Sequence, residues 1–361
     1  MSIRSYNFGA GPCTLPLEVL NEAQSEMVDF QNKGMSIIEM SHRGEIYESI
    51  HQEAILLAKE LYKSPSDFEV LFIQGGATLQ FSMIPMNFLL PGQKAAFLLS
   101  GTWAEKALED AQVYGQVYKA WDGKPEKYIK MPFNHEIKIE PQTSYLHITT
   151  NETIGGVRMI EWPDVKVPII ADMSSDFFTR PIPWDKFDLV YGGVQKNLGP
   201  SGMAVVYIRK SILSKLNKNI GKYLRYDIHE KNASLYNTPP VFSIYMTAKV
   251  LKHIKQTGGI KGVGERAQAR ANLLYQTIDH SNGYYKCPIE VKYRSIMNIV
   301  FKLKTESLEK KFLSEATKAG FIGLEGHRSV GGCRASCYNA MPLEWVVALT
   351  GFMKNFQQNN A

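Results

Sequence analysis

At 361 residues, 44% hydrophobic and 21% charged, the chain has an ordinary soluble globular composition and the length for roughly two domains around a large core. Its formal charge of +6 is dispersed, with no basic run interleaved with aromatics, which argues against a nucleic-acid surface and leaves a local pull on anionic small molecules. No stretch reaches the roughly 18 apolar residues of a membrane span, the N-terminus MSIRSYNFGAGP lacks the apolar core of a signal peptide, so the cytoplasm is the expected compartment, and Cys13, Cys287, Cys333 and Cys337 are too scattered for a disulfide framework or a zinc site.

Residues 1 to 15 read as an extended arm. After Thr14, a suitable N-cap, Leu17, Leu20, Met27 and Phe30 recur at helical spacing and Gly34 supplies the stop, which predicts one long first helix. SHRGEIYESI follows, with His42 and Arg43 ahead of a second amphipathic helix marked by Ile50, Ala54, Leu57 and Leu61. A helix start favours acids, so Arg43 gains nothing there from the dipole; it is either an anion ligand or half of a surface ion pair. Glu69 to Ile73 is a buried strand, followed by Gln74-Gly75-Gly76-Ala77-Thr78 and an apolar helix from about Leu79 to Leu90. Strand, glycine turn and helix N-terminus make an anion site, because free backbone N–H groups point at the bound oxygens. A dinucleotide fold is disfavoured, since G-x-G-x-x-G and the following ribose-binding acid are missing. Ala95 to Leu99 is the next strand and delivers Ser100-Gly101-Thr102-Trp103 to the same rim, where Trp103 is either core or a flat face for a ring. Gly115 to Pro141 reads as polar, irregular surface. Ser144 to Thr149 returns as a strand running into NETIGG, whose Thr153 is either a cofactor ligand or an ordinary turn residue.

The densest chemistry lies in DLVYGGVQKNLGPSGMAVV, from Asp188 to Val206. Here Lys196 stands between two glycine-bearing turns and two apolar runs that read as strands. Most lysines are hydrated surface charges. One held at the edge of a buried sheet, partly desolvated, loses its proton near neutral pH and can attack a carbonyl to form a Schiff base. Another apolar strand, Val167 to Ala171, ends in Asp172. A carboxylate closing a hydrophobic run is costly, although Asp-x-Ser-Ser is also a cap sequence. At the carboxyl ends of neighbouring strands the two residues share one rim, where open α/β sheets bind ligands. An acid toward a pyridinium nitrogen and a lysine on an aldehyde is the pair that pyridoxal phosphate (PLP) requires.

Residues 211 to 240 are loop-rich and end in Asn237-Thr238-Pro239-Pro240, where the prolines hold Asn237 and Thr238 extended. A helix from Val241 to Gln256 stops at Gly258-Gly259. That is the expected junction between a large domain, 16 to 258, and a smaller α+β domain, 259 to 361, with a helix through Gln268 and Leu274, a strand near Ile296 to Leu303 and a helix from Ser307 to Lys318. Within it His327, Arg328 and Arg334 cluster around Gly331 and Gly332, either as a solvated charge patch or as an edge that binds carboxylate and phosphate through arginine forks. The expected fold class is α/β, a large domain with a mainly parallel sheet flanked by helices plus the smaller α+β domain.

Taken in order, NFGAGP at 7 to 12, QGGATLQF at 74 to 81, NETIGG at 151 to 156, ADMSSDFFTRPI at 171 to 182, GGVQKNLGPSG at 192 to 202, NTPP at 237 to 240 and GHRSVGGCRAS at 326 to 336 resemble the phosphoserine aminotransferase family, class V and fold type I among PLP enzymes, over nearly the whole chain. The resemblance implies amino transfer between L-glutamate and 3-phosphohydroxypyruvate, giving 2-oxoglutarate and O-phospho-L-serine for L-serine synthesis. A phosphorylated hydroxythreonine of vitamin B6 synthesis is left open as a second substrate. By the same resemblance Lys196 bears PLP, Asp172 meets the ring nitrogen, Trp103 stacks on the ring and Thr153 meets the ring oxygen. Ala77, Thr78 and Gln195 surround the cofactor phosphate, with Asn237 and Thr238 arriving from the neighbouring subunit of a homodimer. Arg334 takes the substrate α-carboxylate, while Arg43, His327 and Arg328 take the distal phosphate or the glutamate side chain. No metal, nucleic acid or membrane is implied. The alternatives are a class V aminotransferase acting on alanine or glyoxylate, which would not need the His327-Arg328 pair, and a non-catalytic binding protein of the same fold, against which the intact Asp172 and Lys196 speak.

Overall fold

Short apolar strands bounded by glycine turns can bury both faces only in a sheet covered by helices on each side. The computed structural model, which describes residues 4–360, builds such a sheet from the chain up to Arg209. After β1 (Tyr6–Asn7), α1 (Leu17–Ser25) and α2 (Glu45–Tyr62), strands and helices alternate through β2 (Phe68–Gln74), α3 (Gly76–Phe88), β3 (Lys94–Leu99), α4 (Thr102–Ala111) and β4 (Gln116–Asp122). There follow β5 (Thr143–Thr149), β6 (Ile169–Asp172), β7 (Leu189–Gly193) and β8 (Met203–Arg209). They form a seven-stranded sheet in the order β2-β8-β7-β6-β5-β3-β4. From β7 to β4 all neighbours run parallel, and β8 lies antiparallel between β7 and β2. Two reversals bring β2 back to the common direction, so β2, β3, β5, β6 and β7 all end at one rim. Strand order reverses between β3 and β5, because β3 is followed outward by β4 and the chain then returns to its other side. Such a switch point opens a crevice at the carboxyl edge.

Beyond the sheet come α5 (Lys210–Leu213), α6 (Tyr226–Lys231) and α7 (Val241–Gln256). The rest, α8 (Gly259–Asp279), β9 (Tyr285–Lys286), β10 (Asn298–Leu303), α9 (Glu306–Lys318), β11 (Phe321–Ile322), β12 (Cys333–Ser336) and α10 (Leu343–Asn359), packs around the antiparallel trio β12-β10-β9. Leu274, Met297, Phe301, Phe312, Leu349 and Met353 form its own core. The N-terminal arm belongs to this core as well: β1 pairs with β11, and Phe8 is buried beside Phe321. No helix among the described residues is long and apolar enough to cross a membrane.

The structure corrects three local expectations. The first helix stops at Ser25 and buries Val19 and Ala23; Leu17 is exposed, Met27 lies on a bend and Phe30 opens a separate 3-10 turn, buried edge-on against Tyr245, so the apolar spacing did not trace one buried helical face. The helix after the glycine turn begins at Gly76, because Gly75 takes φ 95°, and Ala77 and Thr78 therefore sit inside the first helical turn. Part of the expected irregular surface is β4, an edge strand whose half-exposed residues give it a polar composition.

β5 also buries His147, whose Nε2 lies 3.0 Å from the Tyr191 hydroxyl while Nδ1 has no partner. Burial pushes its pKa down to about 3. An unfolded histidine protonates near pH 6.5, so below that pH the unfolded chain binds a proton that the folded chain refuses, and stability falls as pH drops through this window. His147→Gln is expected to remove ~2 kcal/mol of the stability lost between pH 7 and pH 5. Urea midpoints of both proteins at the two pH values measure it.

Candidate active site

At the rim, β6 ends in Asp172, paired across to Thr149 and Tyr191. The chain turns at once, and Ser174 donates both its N–H (2.8 Å) and its hydroxyl (2.6 Å) to Asp172 Oδ1. The same hydroxyl accepts the Gly193 N–H at 3.0 Å, tying the end of β6 to that of β7. Asp172 Oδ2 takes no hydrogen bond from the described residues.

After Gly193 the chain makes a tight turn, closed by the N–H groups of Leu198 and Gly199 on the Val194 carbonyl at 2.9 Å each. This turn folds Lys196 back over the strand ends, where Nζ donates to Thr153 Oγ1 at 2.6 Å and lies 5.5 Å from the centre of the Trp103 ring. The N-terminal arm braces the turn from outside. Cys13 donates its N–H to the Gln195 carbonyl (3.1 Å) and its thiol to the Lys196 carbonyl, and a Cβ on Gly11 would touch the Lys196 stem at 3.5 Å.

Both charged groups are buried, Asp172 at 4% and Lys196 at 7% exposure. Burial pushes the Lys196 ammonium below its ordinary value, against the pull of Asp172 and Glu152. Burial likewise holds the Asp172 carboxyl above the usual carboxylate range, opposed first by Lys196 and then by the Ser174 donors. Each is the leading charge in the other's surroundings.

Trp103 stands in the first turn of α4, with Glu152 accepting its backbone N–H. From β12, Arg334 donates through Nη1 to the Thr153 carbonyl at 3.3 Å. His327 Nδ1 lies 2.7 Å from the Ser329 hydroxyl, and its pKa is lowered by burial and by the positive charges of Arg334, Arg328 and Lys106. Arg328 is exposed. On the other side, Ala77 and Thr78 present the start of α3, and Asn237 Nδ2 donates to Gln74 Oε1 at 2.9 Å, with Thr238 exposed beside it. Arg43 stands apart: it is exposed ahead of α2, its N–H on the Ser41 hydroxyl, and it forms no ion pair among the described residues. A cleft of about 710 Å³ lined by Arg4, His253, Arg266 and Trp345 contains none of these groups, so it is chemistry, not hollow size, that marks the rim.

These residues fit PLP. Trp103 Nε1, Gln195 Oε1 and Arg334 Nε are buried without partners, and such atoms are costly unless an occupant satisfies them. A carboxylate with one unclaimed oxygen, an amine, an indole face and the open N–H groups of a helix start match a pyridine nitrogen, an aldehyde, a flat ring and a phosphate.

The model of the class V aminotransferases matches residues 5–349. The chain is 52% identical over 361 residues to the phosphoserine aminotransferase of Lysinibacillus sphaericus (strain C3-41), with 100% of each covered. It belongs to the phosphoserine aminotransferase family. Among solved structures of that family, the enzyme from Bacillus circulans subsp. alkalophilus superposes with a TM-score of 0.98 at 49% identity, covering 100% of both chains. The PLP-bound phosphoserine aminotransferase of Trichomonas vaginalis gives 0.93 at 38% identity, covering 97% of this chain and 100% of that one.

Three side chains at the site of this phosphoserine aminotransferase family member escape the sequence reading. Ser174 clamps Asp172, and Asp-x-Ser was the signal for it. Lys106 lies one helical turn beyond Trp103 with Nζ 4.7 Å from the ring centre, a spacing of three that a helix places on one face. Glu152 lies between β5 and Thr153, and nothing local in the sequence marks it.

Proposed function

We propose that the protein uses PLP to move an amino group between L-glutamate and 3-phosphohydroxypyruvate, forming 2-oxoglutarate and O-phospho-L-serine. The observation that carries this reading is a buried primary amine, Lys196 Nζ, held on Thr153 Oγ1 beside the Trp103 ring and in the field of Asp172. PLP, when bound, supplies an aldehyde that captures amines and a ring that accepts the electron pair left at the substrate α-carbon. Asp172, one oxygen clamped by Ser174 and the other unclaimed, holds a proton at the ring nitrogen. Lys196 Nζ, made less basic by burial, takes the proton from the amino-acid α-carbon and returns one to the keto-acid α-carbon in the opposite half-reaction. Trp103 covers the ring face and keeps water from it, and Thr153 orients the amine. Arg334, with Nε still unpaired, takes the α-carboxylate, while His327 and Arg328 draw the distal phosphate or the donor's side-chain carboxylate.

Asn237 and Thr238 are assigned to the cofactor phosphate of a neighbouring subunit, and Arg43, exposed in the single chain, to substrate across the same interface. The working form is thus a cytoplasmic homodimer, which sedimentation of the purified protein tests. The decisive experiment on the function is the half-reaction: O-phospho-L-serine added alone to the PLP-loaded protein should change the colour of the bound cofactor and release 3-phosphohydroxypyruvate. A response to L-alanine and none to O-phospho-L-serine would move the enzyme to another class V activity.

The phosphate assignment makes its own prediction. A charge-assisted arginine contact is worth enough that Arg328→Ala should raise KM for 3-phosphohydroxypyruvate roughly 10- to 100-fold. KM for unphosphorylated hydroxypyruvate should stay near its wild-type value. An equal loss on both acceptors in steady-state kinetics places the phosphate elsewhere.

A further inference from the structure

The geometry points to Glu152 as a positioning residue whose buried carboxylate ties the helix carrying Trp103 to the loop carrying Thr153, so that indole and hydroxyl meet the cofactor as one rigid jaw. The inference deepens the PLP reading above and rests on it.

The first turn of any helix leaves N–H groups without intrahelical acceptors. α4 begins after Gly101, which offers no side-chain cap. The acceptor comes instead from another strand's exit, nearly fifty residues on: Glu152 Oε2 takes the Trp103 N–H at 3.2 Å and Oε1 takes the Ala104 N–H at 3.1 Å, with the Ser100 hydroxyl on Oε1 at 3.3 Å. Three donors and the positive end of the helix converge on one carboxylate, which is the arrangement that favours its ionised form. Its own backbone is held too, the N–H on the Val157 carbonyl (2.9 Å) and the carbonyl on the Gly156 N–H (2.8 Å). The next residue, Thr153, meets Lys196 through its hydroxyl and Arg334 through its carbonyl. Consecutive side chains thus grip opposite walls of the site.

A second observation is independent of the hydrogen bonds. A Cβ on Gly101 would lie 2.5 Å from Glu152 Cδ and 2.7 Å from Oε2. At φ 165° the backbone there is extended, a conformation any residue adopts, so the glycine is required for the room it leaves this carboxylate. A serine or aspartate at 101 would cap the helix locally. Reaching across from β5 does something a local cap does not, which is to fix Trp103 relative to Thr153. The arrangement is costly, since Glu152 is 0% exposed and burial pushes its pKa up to about 7, against the two N–H donors.

The test uses the full chain with Glu152→Gln, which turns an amide N–H₂ against donors, and Gly101→Ala, which pushes the carboxylate aside without altering its charge. In the apo-protein, amide hydrogen exchange at Trp103 and Ala104 should quicken about tenfold or more in both variants while β6 and β7 keep their protection. On titration with PLP, affinity should fall roughly 10- to 100-fold, and the visible circular dichroism per bound PLP should drop at saturation, because the ring is no longer held against a fixed indole. Glu152→Asp, keeping the charge on a shorter arm, should fall between. Wild-type PLP affinity and wild-type dichroism in both variants overturn the assignment, even if their thermal midpoints fall, since that pattern belongs to a plain helix cap. Wild-type protein that takes up no PLP sinks the functional reading instead, and the exchange measurement, which needs no cofactor, still decides the tie.

Discussion

Lys196→Ala is expected to lower turnover of O-phospho-L-serine by about 10⁴-fold, the upper range for removing a positioned general base, and to abolish fixation of PLP to the chain by borohydride. Both losses have one origin. The turn from Val194 to Gly199 delivers a single amine to the point where the Thr153 hydroxyl and the Trp103 ring meet, and no other lysine stands at the carboxyl ends of β5, β6 and β7 among the described residues. Lys196→Arg should be as inactive, because a guanidinium stays protonated across the working range and cannot take a proton from carbon. Small primary amines added to Lys196→Ala should restore part of the rate, since deleting the side chain leaves its space and the hydroxyl of Thr153 in place. Peptide mass mapping after borohydride treatment checks the attachment, and rapid mixing checks the rate. PLP fixed to a different lysine in a variant that still turns over would end the assignment.

How far the site was legible depended on where each signal lay. Lys196 and Asp172 could be read because each interrupts or closes an apolar run, and the sheet they close is buried on both faces through β6 and β7. Trp103 and Thr153 could be read as rim residues because each follows a strand. Glu152 could not: its partners, the N–H groups of Trp103 and Ala104, lie 49 and 48 positions away, and backbone donors leave no mark in a sequence. β4 was hidden for a different reason, since an edge strand covered on few sides has the composition of a loop. α10 was legible too, with Val346, Leu349, Met353 and Phe356 on one helical face, but it lies beyond Ser336, where the last motif ends, and carries none of the site's chemistry. Arg43 marks a third kind of limit: its side chain faces solvent in the single chain, so any part it takes in the chemistry requires a second surface.

Asp172→Asn is expected to lower turnover by roughly 10²- to 10³-fold, the scale for removing a preorganised electrostatic partner of the reacting system. Ser174 determines why the amide is a poor substitute. Its N–H and hydroxyl both point at Oδ1, so an asparagine would set its carbonyl oxygen there and, on the proposed reading, would present N–H₂ to the ring nitrogen of bound PLP, leaving no acid to keep that nitrogen protonated. The reverse orientation sets N–H₂ against the Ser174 N–H and loses that bond, since only the hydroxyl can turn to accept. The variant should also show a shift that a structural defect would not produce. Asp172 raises the pKa of Lys196, against the lowering by burial, so removing its charge lets the amine deprotonate at lower pH. The pH midpoint for capture of PLP by the apo-protein should therefore move to more acid values in Asp172→Asn while turnover collapses. In Arg334→Ala, which removes a charge that lowers the Lys196 pKa, the same midpoint should move the other way. Capture rates measured across pH for the three proteins decide it: if both variants shift in the same direction, Asp172 and Arg334 do not act on a common amine.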